Sequence, residues 1–141
     1  MRYLLDTNVW IANWKRPTDS LALSIAKRNP SELFTCSIVL AELLHGAKKY
    51  GNADRRTQKV RNALGRMKSL PFDDISAVSY ASVKHDLQTR GLVIGPSDLQ
   101  IAAICLANDL TLITSNVVTS NVGEFSRVAN LRIEDWTTST L

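Results

Sequence analysis

Short apolar runs alternate with segments of helical spacing along this chain. The runs at residues 3–5, 33–37 and 110–114 are rich in apolar and β-favouring residues and predict buried strands. Residues 70–72 and 131–133 predict two further short strands, the second at the edge of a sheet. Since strands separated by helices favour a parallel sheet covered on both faces, the pattern predicts a three-layer α/β/α fold around a mainly parallel sheet of four to five strands.

Helices are predicted between these strands, where apolar residues recur at helical spacing and polar residues mark the ends. They are expected at residues 9–15, 20–28, 38–49, 53–67, 74–89 and from about 97 onward. Asp6 and the two polar residues after it end the first strand and can cap the first helix. Ser97 and Gln100 have the spacing of a capping box, which places Asp98 in the first turn of the last helix.

Three acidic residues, far apart in the chain, lie where apolar segments would otherwise bury everything around them. Asp6 follows the first strand, Glu42 interrupts an apolar helix, and Asp98 precedes another apolar stretch. A buried carboxylate costs several kcal/mol unless it is paired, neutralised or bound to a metal. Functional groups of a parallel sheet gather at the carboxyl ends of its strands, so we expect the three acids to converge there and to share a divalent cation.

Each acid also has a purely structural interpretation. Asp6 can serve only as a helix cap, and Asp98 in a first turn gains from the helix dipole. Glu42 can lie on a narrow exposed polar stripe with His45 and Lys49. A shared site explains all three acids at once, whereas the structural interpretations need a separate reason for each.

Length and composition fit one domain spanning residues 1–141, because 45% hydrophobic residues suffice for one buried core. Cys36 and Cys105 lie in apolar surroundings without CxxC spacing and are expected to be reduced core residues. No apolar stretch reaches the ~18 residues of a membrane span, and Asp6 and Asn8 break the apolar start before it resembles a signal sequence. We therefore expect a cytoplasmic protein.

Positive charge is concentrated in one segment. Residues 48–68 contain eight Lys or Arg residues and only one acid, Asp54, although the net charge of the whole chain is only +4. The rest of the chain carries 9 basic and 12 acidic residues. This division suits a polyanionic substrate that approaches an acidic, metal-loaded pocket, although a solvated helical face would give the same composition.

Six segments, taken in their order along the chain, point to a known family. They are residues 4–8 (LLDTN), 40–46 (LAELLHG), 94–102 (IGPSDLQIA), 110–114 (LTLIT), 124–128 (EFSRV) and 131–136 (LRIEDW). Each segment alone is weak, but the ordered set covers nearly the whole chain. The set resembles the PIN-domain ribonucleases, and specifically the VapC toxins of VapBC toxin–antitoxin pairs.

The resemblance implies a PIN-like fold and an endoribonuclease that depends on Mg²⁺ or Mn²⁺. It implies that Asp6 and Asp98 are the principal metal ligands, and that Glu42 is a third catalytic acid that binds the metal directly or through water. It also implies a transfer RNA or ribosomal RNA substrate, a homodimer, and a cognate VapB-like antitoxin as inhibitor. The residue types agree, because hard cations of this kind prefer carboxylate oxygen and water.

The segment after the strand at residues 110–114 departs from the family pattern. Asn116 lies where a fourth catalytic residue is expected, but the sequence TSNV occurs twice in succession there. The repeat delays the EF element that follows, so Asn116, Asn121 and Glu124 compete for one role. The main hypothesis is a metal-dependent endoribonuclease toxin. The alternative is a PIN-fold RNA- or partner-binding module with little or no cleavage because of the altered loop 114–124.

Overall fold

A computed structural model of the protein describes residues 1–115 and 121–137. The strands in these residues are β1 (Tyr3–Leu5), β2 (Leu33–Cys36), β3 (Lys68–Leu70), β4 (Thr111–Ile113) and β5 (Ile133–Glu134). They form one sheet in the order β3-β2-β1-β4-β5, and each neighbouring pair is parallel. The predicted parallel sheet of four to five strands is confirmed.

Helices connect these strands and complete the predicted α/β/α layers. They are α1 (Thr7–Lys15), α2 (Asp19–Ala26), α3 (Ser37–Lys49), α4 (Ala53–Leu64), α5 (Asp74–Thr89), α6 (Pro96–Ala107) and α7 (Asn121–Phe125). The six predicted helices are all present, and α7 is an addition to them. In the part of the chain that the structure describes, no helix is long and apolar enough to cross a membrane.

The central position of β1 decides where its end lies. β1 pairs with β2 on one side and with β4 on the other, and Leu5 is the register partner of Ile113. Both side chains are fully buried, as expected for a strand covered on both faces. Because the strands are parallel, their carboxyl ends all lie at the same end of the sheet, the edge that runs across the strands. The Asp6 N–H donates a 2.8 Å hydrogen bond to the Ile113 carbonyl and holds Asp6 at that carboxyl-terminal edge.

The two outer strands differ most from their predicted bounds. The strand expected at residues 70–72 is instead β3, Lys68–Leu70, which ends before Pro71. Pro71 has no N–H to donate to a strand ladder, so the chain leaves the sheet there. The strand expected at residues 131–133 begins two residues later as β5, and its position at the edge of the sheet is confirmed.

The predicted capping box before α6 is wrong. The N-cap is Gly95, no side chain caps the helix, and Pro96 is its first residue. A proline in the first turn has a φ angle suited to the helix and no N–H that needs a partner, so the helix begins without a side-chain cap. Asp98 nevertheless lies in the first turn, as predicted. Both cysteines are free and buried, as expected.

Candidate active site

Asp6 lies directly after the central strand, and only 1% of its surface is exposed. It is the N-cap of α1, and its Oδ1 accepts a 2.7 Å hydrogen bond from the Thr7 N–H. Its Oδ2 accepts a 3.1 Å hydrogen bond from the hydroxyl of Thr114, just past the end of β4. Burial, with a smaller contribution from the Glu42 charge, raises the pKa of Asp6 to about 6 despite these two donors. Asp6 does cap the helix, but a cap alone does not require burial of a carboxylate.

Glu42 lies in α3, which follows β2 at the same edge of the sheet. Its side chain is half-buried, and its Oε1 accepts a 2.9 Å hydrogen bond from the Thr7 hydroxyl. The Thr7 hydroxyl therefore joins α1 to α3, while the Thr7 N–H holds the carboxylate of the preceding Asp6. His45 and Lys49, the other members of the predicted polar stripe, are exposed. Glu42 thus differs from them in facing the first turn of α1.

Asp98 is half-buried in the first turn of α6. Burial and the nearby charge of Asp6 raise the pKa of Asp98 to about 7, and a hydrogen bond with Glu124 and the charges of Glu124 and Glu42 contribute to the same rise. A hydrogen bond between two carboxyl groups requires a proton on one of them. The raised pKa of Asp98 means that a proton is retained between these two carboxyl groups to a higher pH than on an isolated aspartate.

The fold brings together four acidic side chains, which we call the acid cluster: Asp6, Glu42, Asp98 and Glu124. The first three are the predicted site residues. Asn116, the predicted fourth catalytic residue, lies outside the described residues, and of Asn121 only the backbone is described, as the start of α7. Three residues were candidates for the fourth catalytic position, and Glu124 is the one whose side chain the structure describes. The Glu124 carboxyl group forms a hydrogen bond with Asp98.

Thr114 is a site residue that the sequence analysis assigned only to a strand. Its hydroxyl is fully buried and donates to Asp6. A polar residue at the carboxyl end of an otherwise apolar strand is a signal that sequence inspection can detect. The role of Thr114 as a partner of Asp6 follows only once β4 is known to lie beside β1, and the sequence does not give that strand order.

The donor types fit a hard divalent cation. Mg²⁺ and Mn²⁺ prefer carboxylate oxygens, and a bound cation would offset the mutual repulsion that helps raise the pKa values of Asp6 and Asp98. Within residues 1–115 and 121–137, no group of three or more acidic, histidine or cysteine side chains is arranged to hold a metal ion. Mg²⁺ usually binds through one or two carboxylates and keeps several waters, so fewer than three direct side-chain ligands can suffice for it.

Comparisons with known proteins agree with this geometry. The model of the PIN domain family matches residues 3–129. The ribonuclease VapC2 of Rickettsia felis is 34% identical over 139 residues, which cover 96% of this chain and 98% of that protein. The tRNA(fMet)-specific endonuclease VapC of Salmonella typhimurium is 31% identical over 136 residues, with the same coverage. The solved structure of VapBC-1 from nontypeable Haemophilus influenzae has a TM-score of 0.88 and 30% identity, covering 98% of this chain and 100% of that one.

Proposed function

The chain belongs to the PIN-domain family, within which its relatives are VapC ribonucleases, and from this premise we propose that it is a Mg²⁺- or Mn²⁺-dependent endoribonuclease toxin. Its reaction is the hydrolysis of RNA phosphodiester bonds. The acid cluster is the observation that supports this proposal most directly. Placing several carboxylates together in a half-buried edge of the sheet costs stability, and cation binding gives a reason for that cost.

Asp6 and Asp98 would hold the cation, with Glu42 binding it directly or through water. A bound divalent cation would polarise the scissile phosphate and lower the pKa of the attacking water. The remaining side chains position these acids: Thr114 fixes one oxygen of Asp6, and Thr7 fixes Glu42 relative to Asp6. Asp98 binds a cation in its ionised form, so the proton in its hydrogen bond with Glu124 competes with the cation. The site should therefore gain cation affinity as pH rises through about 7.

The proposal extends to the partners. We expect a cognate antitoxin of the VapB type, since the similar solved structures include a VapBC assembly. One relative is a tRNA(fMet)-specific endonuclease, so transfer RNA is the first substrate to test and ribosomal RNA the second. We further propose that the protein acts as a homodimer and in the cytoplasm, where these RNAs are found.

RNA cleavage under controlled metal conditions tests the proposal. Purified protein should cleave bulk transfer RNA or ribosomal RNA with Mn²⁺ or Mg²⁺ and stop when EDTA is added. Asp6→Asn and Asp98→Asn should each reduce the rate by more than the ~10- to 100-fold that loss of an outer-sphere partner typically costs a metal site. His45→Gln, an exposed change on the helix that carries Glu42, is the matched control and should cleave normally.

Two outcomes would contradict the proposal. Cleavage that persists in EDTA, or that survives both aspartate substitutions, would remove the role of the acid cluster. RNA binding without turnover in the unsubstituted protein would instead favour the RNA-binding module that the altered loop suggests.

A further inference from the structure

The basic arm, residues 48–68, is a surface that the acid cluster does not explain. It comprises the end of α3, the turn after it, α4 and the start of β3. All eight of its Lys and Arg side chains are exposed. Val60 and Leu64 are only 2% and 4% exposed, so they hold the apolar side of α4 against the core. The three ion pairs between described residues all lie outside the arm.

A solvated helix usually interleaves charges of both signs, and α4 does not. Arg55 and Arg56 lie four and three residues before Lys59, spacings at which like charges repel along a helix. The single acid, Asp54, has Gln58 rather than a cation four residues on. The arm therefore maintains uncompensated positive charge at some cost to its own helix, which indicates a polyanionic partner.

Two aromatic rings lie among these cations. The Arg56 guanidinium lies 5.5 Å from the centre of the Tyr50 ring, and Tyr50 is 62% exposed. The Lys59 ammonium lies 5.4 Å from the centre of the half-buried Trp14 ring in α1. Unpaired nucleic acid bases stack on aromatic rings and on arginine planes, while lysines and arginines bind the phosphates between them. Cations interleaved with rings thus favour a single-stranded nucleic acid over a duplex.

The arm is connected to the acid cluster by two helices. Trp14 lies seven residues after Thr7, which is two turns of α1, about 10 Å along the same helical face. Lys49 is likewise two turns after Glu42 in α3. A stacked strand rises ~3.4 Å per nucleotide and an unstacked strand rises more, so about 10 Å corresponds to at most roughly three nucleotides. A strand whose phosphate lies at the acid cluster can therefore reach the arm.

We propose that the basic arm, with Tyr50 and Trp14, binds the unpaired RNA strand within about three nucleotides of the bond that the acid cluster cleaves. This proposal rests on the proposed function and adds the path of the substrate to it. The arm provides phosphate contacts through Arg55 and Lys59 and base stacking through Tyr50. These contacts involve the RNA phosphates and the faces of the bases, which differ little between nucleotides. The arm therefore contributes affinity with little sequence preference.

Binding measurements in a cleavage-deficient background test this path. The Asp98→Asn protein is titrated with a fluorescently labelled single-stranded oligoribonucleotide of mixed sequence, over a range of salt concentrations. Adding Arg55→Gln with Lys59→Gln should weaken binding severalfold at low salt. It should also flatten the plot of log affinity against log salt by about 1.4, which is ~0.7 for each lost phosphate contact.

The matched control is Lys27→Gln with Lys84→Gln. This pair removes the same net charge, and Lys84 lies over the Tyr80 ring as Lys59 lies over Trp14, but neither residue is in the arm. The control pair should leave the salt dependence unchanged. Tyr50→Leu should weaken binding about fivefold or more through lost stacking, and Tyr50→Phe should restore it.

The outcomes separate this proposal from the function it rests on. If the unsubstituted enzyme cleaves RNA but the arm pair leaves affinity and salt dependence unchanged, or if the control pair has an equal effect, the arm proposal is overturned and the nuclease assignment remains. If the arm pair instead spares RNA binding and abolishes capture of the cognate antitoxin, the arm is a protein-binding surface and the proposal also fails. An unsubstituted protein that neither binds nor cleaves RNA would overturn the proposed function itself.

Discussion

The acid cluster and the basic arm both concentrate charge of one sign, but they do so in opposite ways. The acid cluster gathers Asp6, Glu42, Asp98 and Glu124 from distant parts of the chain into a partly buried edge of the sheet. The basic arm is one continuous segment whose cations are all exposed. Water screens charges in the arm, whereas burial raises the pKa of Asp6 and Asp98 in the cluster. Only the cluster should therefore show a strong dependence of stability on metal and pH.

At constant pH, metal binding should give the largest effect on stability. Millimolar Mn²⁺ should raise the melting temperature by several degrees, because a ligand at about 100 times its Kd adds ~2.7 kcal/mol to the free energy of unfolding. Differential scanning fluorimetry would measure the shift. Glu42→Gln should reduce it, whereas Arg55→Gln with Lys59→Gln should leave it unchanged. No shift with either Mn²⁺ or Mg²⁺ would mean that the cluster does not bind a cation in the folded protein.

Loss of the Thr114 hydroxyl should have the next largest effect. Thr114→Val leaves a buried carboxylate oxygen of Asp6 without its donor, a loss that costs about 1–3 kcal/mol of unfolding free energy. Urea unfolding at pH 8, where Asp6 is mostly ionised, would measure it. Thr114→Ser keeps the hydroxyl and should recover most of the loss. Equal destabilisation by Val and Ser would show that packing, and not the hydrogen bond, explains the role of Thr114.

The metal-free protein should lose stability as pH rises from about 4 to 7. Asp6 and Asp98 have folded-state pKa values of about 6 and 7, above the ordinary 3.8, so in this window the folded protein binds more protons than the unfolded chain. The free energy of unfolding then falls with pH, by at most about 1.4 kcal/mol per pH unit for each such proton. Screening at half-buried Asp98 makes its share smaller.

Urea unfolding in EDTA across this pH range would measure the slope, and Asp98→Asn should flatten it. Asp73 and Asp109 do not offset the slope, because their pKa values are lowered and they titrate below this window. Stability that stays constant or rises between pH 4 and 7 would contradict the burial of ionisable groups in the cluster.

Substitution in the basic arm should have the smallest effect on stability, and it should stabilise the protein, whereas Thr114→Val destabilises it. Arg55→Gln removes repulsion from Lys59 one turn away, so the metal-free protein should gain about 0.2–0.5 kcal/mol in unfolding free energy. Urea unfolding at low salt, where screening is weakest, would detect it. Lys27→Gln should give no gain. If Arg55→Gln destabilises the protein instead, the arm cations have stabilising partners and their positive charge is compensated, as the charge of the acid cluster would be by a cation.

Local patterns predicted much of the fold. The strand Tyr3–Leu5 and the helix Asp74–Thr89 have the expected bounds, because their signals lie within or beside the elements themselves. Asp73 and Asp74 were both suitable caps for that helix, and the structure has Asp73 as the N-cap. Asp6, Glu42 and Asp98 were likewise identifiable, since each acid is conspicuous among apolar neighbours. The predicted strand at residues 70–72 was wrong because it included Pro71, which cannot donate a ladder hydrogen bond and ends β3 at Leu70.

The sequence by itself determined which residues carry charge, which segments are apolar enough to be buried, and where the first six helices lie, with ends that differ from the observed ones by at most three residues. Only the tertiary structure decided that β4 lies beside β1, so that Thr114 donates to Asp6, and that Glu124 reaches Asp98. The physical reason is that hydrogen bonds and desolvation at the site depend on distances between atoms more than 20 residues apart, as for Asp98 and Glu124. Those distances are set by strand order and helix packing, which no local pattern of residues encodes.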